Sequence, residues 1–269
     1  MCYYNGQKVT HTELIRLKNL EKAILNYDFL AKDLQIGFDY SLNAVLKPVE
    51  GKEDFDIVQM EWGFIPPYWN SREEVAKYRN GFKDPRTGQW VQYITLNAMA
   101  EELLLPKKMY RDAALRRRCL VLSTGFFEWR HVFPPNKRTG QPTKTAVKYP
   151  HYISLKESEY FYMAGIYQPW TDKETGEHIH TFSIVTTAAN SLMEVIHNSK
   201  KRMPTILNDD LAYEWMFGDL SEERITEIAK YQYPAEKMQA CSIAKDFRES
   251  LEPAKPFAYE DLPALELNF

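Results

Sequence analysis

The amino-acid sequence predicts an α+β fold, with a mainly antiparallel, partly closed β-sheet core and surrounding helices. Short runs of β-branched, aromatic and aliphatic residues recur at short and regular spacing, which is typical of such sheets. Aromatic residues make up 14% of the 269 residues, and flat rings are favoured in β-rich cores and in base-stacking surfaces. No Pro/Gly-rich stretch resembles an interdomain linker, so we expect a single domain over residues 1–269.

The order of the elements follows from their local patterns. Residues 10–13 have the spacing of a capping box and precede an apolar repeat from Leu14 to Leu25, which predicts an amphipathic helix that anchors the start of the chain. The predicted strands cover residues 35–40, 44–49, 55–62, 91–96, 119–122, 151–155, 160–167 and 181–186. The other predicted helices cover residues 98–105, 108–117, 190–197, 209–217 and 221–230, and residues 208–269 are expected to form a C-terminal helical extension. Residues 80–88 and 134–145 are predicted to be exposed loops.

Composition and charge exclude several classes of protein. The formal net charge is -3, so no global field draws the chain to a polyanion, and contacts to nucleic acid must come from local basic clusters. The cysteines Cys2, Cys119 and Cys241 lie far apart, which argues against a disulfide framework or a cysteine zinc site and predicts burial of the latter two. The early residues contain no apolar signal core, and no apolar run is long enough to span a bilayer. We expect a cytoplasmic protein, or a nuclear one in a eukaryote, that needs no metal or small-molecule cofactor.

Cys2 is the residue with the most distinctive chemistry. Removal of the initiator Met would leave an α-amine and a thiol on adjacent carbons, and such a pair condenses with an aldehyde to an imine and then to a five-membered thiazolidine ring. Ordinary pKa values of about 8 for the amine and about 8.5 for the thiol leave a useful fraction of each nucleophilic near neutral pH. The alternative is that position 2 is simply occupied by a small residue.

Three further polar residues have the chemistry of a catalytic site. Glu128 stands between bulky rings in the segment 125–129, so a raised pKa and an acid/base role are expected, although an ion pair with Arg130 is an equal alternative. His197 ends a predicted helix and can transfer a proton near pH 7. Asn97 follows a strand-like run and can orient a carbonyl oxygen or cap the next helix.

Other segments could contact nucleic acid. The cations Lys200, Lys201 and Arg202 after His197 can neutralise phosphates, although a charge run after a helix is usually a solvated terminus. The aromatic stretch 61–69, which ends at Trp69, could stack on or wedge between bases, although a packed loop is the more frequent reading.

Taken together, five separated motifs resemble the SRAP (SOS response-associated peptidase) family. They are Cys2, the W-G-F-I-P segment at Trp62, N-A-x-A-E at Asn97, R-C-L-x-x-x-G-F-F-E-W from Arg118, and H…R-M-P from His197, and they span residues 2–207. The resemblance implies a β-rich fold around a positively lined cleft that binds single-stranded DNA and crosslinks to abasic sites, which makes the protein part of a DNA-damage (SOS) response.

By motif position, the resemblance assigns a role to each residue. Cys2 would be the crosslinking nucleophile, Glu128 the acid/base, His197 a second proton-transfer group, and Asn97 a holder of the reacting region. The expected DNA-binding residues are Arg111, Lys200, Lys201, Arg202 and Trp69. The same catalytic residues would give lyase-like activity and autocatalytic, peptidase-like removal of Met1, in a monomer.

The chain departs from the family pattern where the family usually has arginines. Tyr4 and Met99 occupy two of these positions, and the spacing between His197 and Arg202 is three residues longer than usual. Each lost phosphate contact lowers the slope of log affinity against log salt by about 0.7 for a single strand, so we expect weaker and less salt-sensitive DNA binding.

Two rival functions remain at this point. One is a true thiol peptidase or amidase, with Cys2, His197 and Asn97 as nucleophile, base and oxyanion donor. The other is a binding module without catalysis, in which Cys2 is incidental.

Overall fold

Two β-sheets form the core of the structure, a computed structural model that describes residues 2–136 and 138–265. Along the chain, the strands are β1 (Tyr4–Gly6), β2 (Leu14–Leu17), β3 (Leu20–Ala23), β4 (Gln35–Ile36), β5 (Leu42–Pro48), β6 (Phe55–Trp62), β7 (Phe82–Lys83), β8 (Trp90–Val91), β9 (Asn97–Met99), β10 (Arg118–Ser123), β11 (Gly125–Val132), β12 (Val147–Leu155), β13 (Phe161–Thr171), β14 (His178–Ala188), β15 (Arg202–Pro204), β16 (Ile206–Leu207) and β17 (Met238–Ser242). The helices are α1 (Arg72–Asn80), α2 (Arg111–Arg116), α3 (Ser191–Ile196), α4 (Asp209–Phe217) and α5 (Glu222–Ala229).

The larger sheet closes on itself. Strands β14, β6, β5, β10 and β13 pair in a ring, because β14 bonds both to β6 and to β13. The second sheet has the order β17-β12-β11-β1-β4. In the described part of the chain, parallel pairing is restricted to β6 and β9 beside β14. The prediction of an α+β fold with a mainly antiparallel, partly closed sheet is confirmed.

Alternate residues of the ring strands pack into two different apolar clusters. Leu120 joins a cluster with Trp215 of α4, whereas Val121 joins a cluster with Cys2 and with Phe126 of the second sheet. This alternation is the period of two that a β-strand imposes on its side chains. Each fully buried large apolar side chain stabilises the fold by roughly 1.5 to 3 kcal/mol. The second cluster therefore fixes Cys2 between the two sheets.

The predicted N-terminal helix is wrong, because residues 14–23 form the hairpin β2–β3. Ile15 and Leu17 are both fully buried, which follows a period of two, and the two-residue turn is made by Lys18 at a φ of 54°. The amide groups of Thr10 and His11, which a helix start would have used, donate to a carboxylate oxygen of Glu159. The start of the chain is anchored instead by the pairing of β1 with β11 and β4.

Three other local predictions need correction. Residues 98–105 form the end of β9 and a series of turns instead of a helix, because the amide of Ala100 donates to Thr186 and continues the pairing with β14. The segment 208–269 is helical only in its first part, since β17 pairs with β12 in the second sheet. Cys119 is buried as expected, whereas Cys241 is only half-buried.

Side-chain caps fix the helices that the sequence did predict. The Asn208 side chain accepts a hydrogen bond from the Leu211 amide at the start of α4, and Ser221 accepts one from the Arg224 amide at the start of α5. These contacts satisfy amide groups that have no partner within the helix. The sequence analysis missed α1, which Ser71 caps in the same way.

Candidate functional site

Cys2 lies at the centre of the molecule, at the beginning of the chain. Its side chain is fully buried, and its carbonyl oxygen accepts a hydrogen bond of 2.9 Å from Nδ2 of Asn97. The carbonyl of Tyr3 accepts a bond of 2.8 Å from the Gly37 amide, and the Sγ atom of Cys2 lies 3.7 Å from the carbonyl oxygen of Tyr4. Cys2 is therefore held by backbone contacts on both sides.

Asn97 is positioned by β9, which it begins. It pairs with Ile184 of the closed sheet, and the carbonyl before it, at Leu96, accepts a bond of 2.9 Å from Nε1 of Trp62. The Asn97 side chain is buried, and its Oδ1 atom has no hydrogen-bond partner within residues 2–136 and 138–265. A buried amide with one unused acceptor is costly unless another group binds there. The W-G-F and N-A-x-A-E motifs thus meet at Cys2.

Glu128 and His197 face each other beside Cys2. Glu128 lies on β11 between the buried Phe127 and the half-buried Trp129, and His197 follows the last residue of α3. Oε2 of Glu128 and Nε2 of His197 are 3.6 Å apart, slightly longer than a hydrogen bond. The fourth motif and the fifth motif of the sequence are therefore joined by two side chains of opposite acid/base character.

Burial sets the protonation of this pair. It raises the pKa of Glu128 to about 7 and lowers the pKa of His197 to about 4. Nδ1 of His197 lies 2.7 Å from the carbonyl oxygen of Arg202, which can only accept, so we assign the imidazole proton to Nδ1. Near neutral pH the imidazole is therefore uncharged, and its unprotonated Nε2 faces Glu128. Glu128 exchanges its proton readily because its pKa of about 7 is close to the pH of the solution.

The thiol of Cys2 differs from the sequence-based expectation. Burial raises its pKa far above the ordinary value, and the charge of Glu128 raises it further. The expected fraction of thiolate near neutral pH is therefore wrong for this folded state. A protonated thiol needs a base in order to react, and Glu128 is close enough for its charge to act on the sulfur.

Arg202 is part of the structural support of the site. Nη1 of its guanidinium donates to Oε1 of Glu101 at 2.7 Å and Nη2 donates to the carbonyl oxygen of Thr186, so both terminal nitrogens bind protein groups. The same residue's carbonyl holds His197. Lys200 and Lys201 are exposed in the turn between His197 and Arg202, and Lys201 has a positive φ of 51°. Of these three cations, the two lysines face solvent.

In the structure, Arg111 is held by a surface ion pair and Trp69 is buried. The Arg111 guanidinium forms two hydrogen bonds to the carboxylate of Glu222. The Trp69 side chain is only 3% exposed, and its ring packs at a tilt against that of Tyr78, with 4.6 Å between the ring centroids. In this conformation neither side chain offers an open surface to a base or phosphate, whereas Tyr68 beside Trp69 is well exposed.

Sequence analysis missed the role of Tyr3. Burial and the charge of Glu128 raise the pKa of the Tyr3 hydroxyl to about 12, so this group also lies near the site. Its ring packs 4.8 Å from that of Phe38. The only signal in the sequence is that Tyr3 is adjacent to Cys2.

The part of the chain that the structure describes contains no group of three or more His, Cys, Asp or Glu side chains arranged to hold a metal ion. Within that same part, no helix combines the length and apolarity needed to cross a lipid bilayer.

Comparison with known proteins gives one consistent picture. The family profile "SOS response associated peptidase (SRAP)" matches residues 1–250. Abasic site processing protein YoqW of Bacillus subtilis is 31% identical over 186 residues, which is 69% of this chain and 68% of that protein. Abasic site processing protein HMCES of Gallus gallus is 28% identical over 68% of this chain, and the match covers 51% of its own length. A protein from Bacteroides thetaiotaomicron with a crystal structure is 27% identical in sequence to this chain. The two structures superpose with a TM-score of 0.71, and the match covers 96% of this chain and 100% of the Bacteroides chain.

Proposed function

This chain belongs to the SOS response associated peptidase (SRAP) family, and we propose that it senses abasic sites in DNA and crosslinks to them covalently through Cys2. The observation that carries the proposal is the meeting of Cys2, Asn97, Glu128 and His197 at one buried point. Four of the five motifs supply these residues, from positions almost two hundred residues apart. The relatives named as abasic site processing proteins support DNA as the partner.

The crosslink follows from the chemistry of a 1,2-aminothiol. After loss of Met1, the α-amine of Cys2 attacks the aldehyde carbon of the ring-opened sugar, and a water molecule leaves as the imine forms. The S–H group then adds across the C=N bond, so that sulfur bonds to carbon and the proton goes to nitrogen. The product is a thiazolidine ring, and no oxidant or reductant is needed.

Glu128 has the properties that these proton transfers require. With a pKa of about 7, its carboxyl can protonate the oxygen that leaves during ring opening and imine formation. The resulting carboxylate can then accept the proton of the thiol. His197, neutral and with Nε2 towards Glu128, is the second proton-transfer group, and Asn97 fixes the Cys2 backbone.

The same residues support removal of Met1. In this reaction water adds to the Met1 carbonyl, the bond to the nitrogen of Cys2 breaks, and Glu128 transfers the proton to the departing amine. We propose that the site performs both this autopeptidase step and the lyase-like crosslinking.

Single-stranded DNA is the substrate form that this site favours in our proposal. Cys2 is fully buried, so the reacting sugar must leave a regular stack to reach it, and this costs least in a strand without a partner. Lys200 and Lys201, which are exposed beside His197, would contact phosphates.

The test uses a single-stranded oligonucleotide with one abasic site and, as a control, the same strand without it. We expect an adduct that survives denaturing electrophoresis, with the mass of protein plus DNA minus one water. Cys2→Ala keeps an α-amine but has no thiol, so it should form only an imine that borohydride traps and water reverses. Cys241→Ala, which removes the half-buried thiol of the chain, should crosslink like the parent protein.

The rival functions make different predictions. Steady turnover of a peptide substrate without a DNA adduct would favour a thiol peptidase. Full DNA-related activity in Cys2→Ala would favour a binding module and would overturn the proposal.

A further inference from the structure

A hairpin near the candidate site exposes large apolar side chains to solvent. Strands β7 and β8 form this hairpin, in the segment between α1 and β9. Trp90 is 67% exposed, and Tyr93 and Ile94, which follow it, are 40% and 41% exposed. A cluster of such side chains is typical of a binding surface, whereas single ones need no explanation. The name hairpin surface is used below for Lys83, Arg86, Trp90 and Tyr93.

The chain joins the hairpin surface to the candidate site. Tyr93 precedes Asn97 by four residues, and because an extended chain covers at most about 3.5 Å per residue, the two Cα atoms lie within about 14 Å of each other. Between them, the Thr95 carbonyl accepts a hydrogen bond of 3.1 Å from the amide of Phe64, which belongs to the W-G-F motif. DNA that delivers a sugar to the candidate site therefore comes close to the hairpin surface.

The exposed rings rest on well-packed groups. The Tyr93 ring packs edge-on against the rings of Trp69 and Tyr78, with 5.7 and 5.5 Å between the centroids. The Trp90 ring lies against Gly81, so closely that a β-carbon at this glycine would be 2.6 Å from a ring atom. Gly81 also has a φ of 83°, which favours glycine. The indole is thus supported by backbone on one side and remains largely open to solvent.

Two exposed cations accompany the indole. Lys83 pairs directly with Trp90 across the hairpin, so the two side chains lie on the same face, with about 5 Å between their β-carbons. Arg86 lies in the turn, where its amide donates a hydrogen bond of 2.8 Å to Oδ1 of Asp84. Within residues 2–136 and 138–265, neither the Lys83 ammonium nor the Arg86 guanidinium forms an ion pair.

The charge of this segment differs from that of the whole chain. Residues 77–94 contain four lysine or arginine residues and one carboxylate, whereas the formal net charge of the chain is -3. An acidic protein that binds a polyanion needs such a local basic cluster. The hairpin surface therefore has the charge that attracts phosphate groups.

The arrangement suits a single strand of nucleic acid. Each nucleotide of a single strand offers a base with a flat π-face and a phosphate charge, and Trp90 and Lys83 offer a ring and a cation side by side. Inside a duplex, both faces of a base are already stacked on neighbouring bases. The indole can therefore take a base of a single strand more easily than one of a duplex.

We propose that the hairpin surface binds the single-stranded DNA on one side of the abasic nucleotide, with a base stacked on Trp90 and a phosphate bound by Lys83. This proposal rests on the proposed function for the identity of the partner. Because the hairpin is a single element beside the candidate site, it contacts the nucleotides on the 5′ side or those on the 3′ side of the abasic position, and not both. It thereby holds the strand in register while Cys2 reacts.

The first test measures binding without the chemistry. The affinity of the full-length chain for an undamaged single-stranded oligonucleotide is followed by fluorescence anisotropy between about 50 and 200 mM salt. Trp90→Ala should weaken binding by about tenfold, and Trp90→Phe, which keeps a ring, should restore most of it. Lys83→Gln should lower the salt slope by about 0.7, the value for one phosphate on a single strand. Phe257→Ala and Lys52→Gln change exposed residues elsewhere and should bind like the parent.

The second test asks on which side of the abasic site the strand is held. It uses two abasic oligonucleotides of equal length, one with all other nucleotides 5′ of the abasic site and one with all of them 3′ of it. The crosslink fixes the register, so only one of the two strands extends over the hairpin surface. Trp90→Ala should lower the single-turnover crosslinking rate, at subsaturating protein, by about tenfold for that strand and by less than about twofold for the other.

The outcomes separate this inference from the proposed function. Parent-like affinity of Trp90→Ala, a parent-like salt slope of Lys83→Gln, or equal rate losses for the two abasic strands would overturn the hairpin proposal, while crosslinking by Cys2 still stood. If these variants lost binding to a polyglutamate peptide but not to DNA, the surface would serve an acidic protein partner, and the proposal would also fall. Failure of every variant to crosslink, together with the expected affinity changes, would leave the hairpin surface standing and remove the proposed chemistry.

Discussion

Glu128→Gln should make the folded protein more stable at alkaline pH while slowing its chemistry. The carboxyl titrates near its ordinary pKa of 4.5 in the unfolded chain and at about 7 in the folded protein. Between these values the folded state holds a proton that the unfolded chain has released, so stability falls as the pH rises through this window. Glutamine has nearly the same shape and cannot ionise.

The size of the effect follows from the two pKa values. Their difference of about 2.5, at about 1.4 kcal/mol per pKa unit, gives about 3 kcal/mol at pH 8. At pH 4 the carboxyl is protonated in both states, and the variant and parent should differ by less than about 1 kcal/mol. The expected gain of stability therefore appears with rising pH and is complete near pH 8.

Urea unfolding at pH 4, 6 and 8 measures this difference. Glu159→Gln is a control of opposite sign: although burial acts against it, hydrogen bonds from the Thr10 and His11 amides lower the pKa of Glu159. That variant should lose stability at neutral pH and recover relative to the parent as the pH falls. A stability difference between Glu128→Gln and the parent that is the same at all three pH values would refute the reasoning, because it would mean that the pKa of Glu128 is the same in the folded and unfolded states.

Three further predictions concern activity and stability. Asn97→Ala removes the hydrogen bond to the Cys2 carbonyl and should slow crosslinking by about tenfold and destabilise the fold by about 1 kcal/mol, as gel assays and urea unfolding would show. Arg79→Ala removes one of the two arginines that pair with the buried carboxylate of Glu61 at 2.8 Å, while Arg72 remains, and should cost about 3 kcal/mol in the same unfolding assay. The crosslinking rate should decline above pH 7 as Glu128 loses its proton, and a single-turnover pH profile of Glu128→Gln should lack this limb.

The sequence correctly predicted those elements whose stabilising contacts come from residues nearby in the chain. The helix at Asp209–Phe217 begins as predicted because its cap, Asn208, is adjacent in sequence, and the strand Phe55–Trp62 has its full predicted length. The hairpin at residues 14–23 was missed because Glu159, far along the chain, takes the amides that a helix start would have used. A capping box can predict a helix only when no distant acceptor competes for the same donors.

The identities of the site residues could be predicted, but their protonation states could not. Cys2 and Glu128 were recognised from residue type and neighbouring rings, and the raised pKa of Glu128 was expected from those rings. The high pKa of the Cys2 thiol was not foreseen, because it results from burial between two sheets. Similarly, nothing near Arg202 in sequence reveals Glu101, its partner from a hundred residues earlier.

The pairing of β1 with β11 also has a consequence for biosynthesis. Strand β1 is the first to leave the ribosome, and its partner β11 is absent until residues 125 and 126 have been made. His197, whose imidazole faces Glu128, is added some seventy residues later. Pairing over such a separation forms slowly compared with local contacts. An interrupted translation product would therefore carry the Cys2 thiol without Glu128 and His197. The reactive centre forms only when the polypeptide is nearly complete.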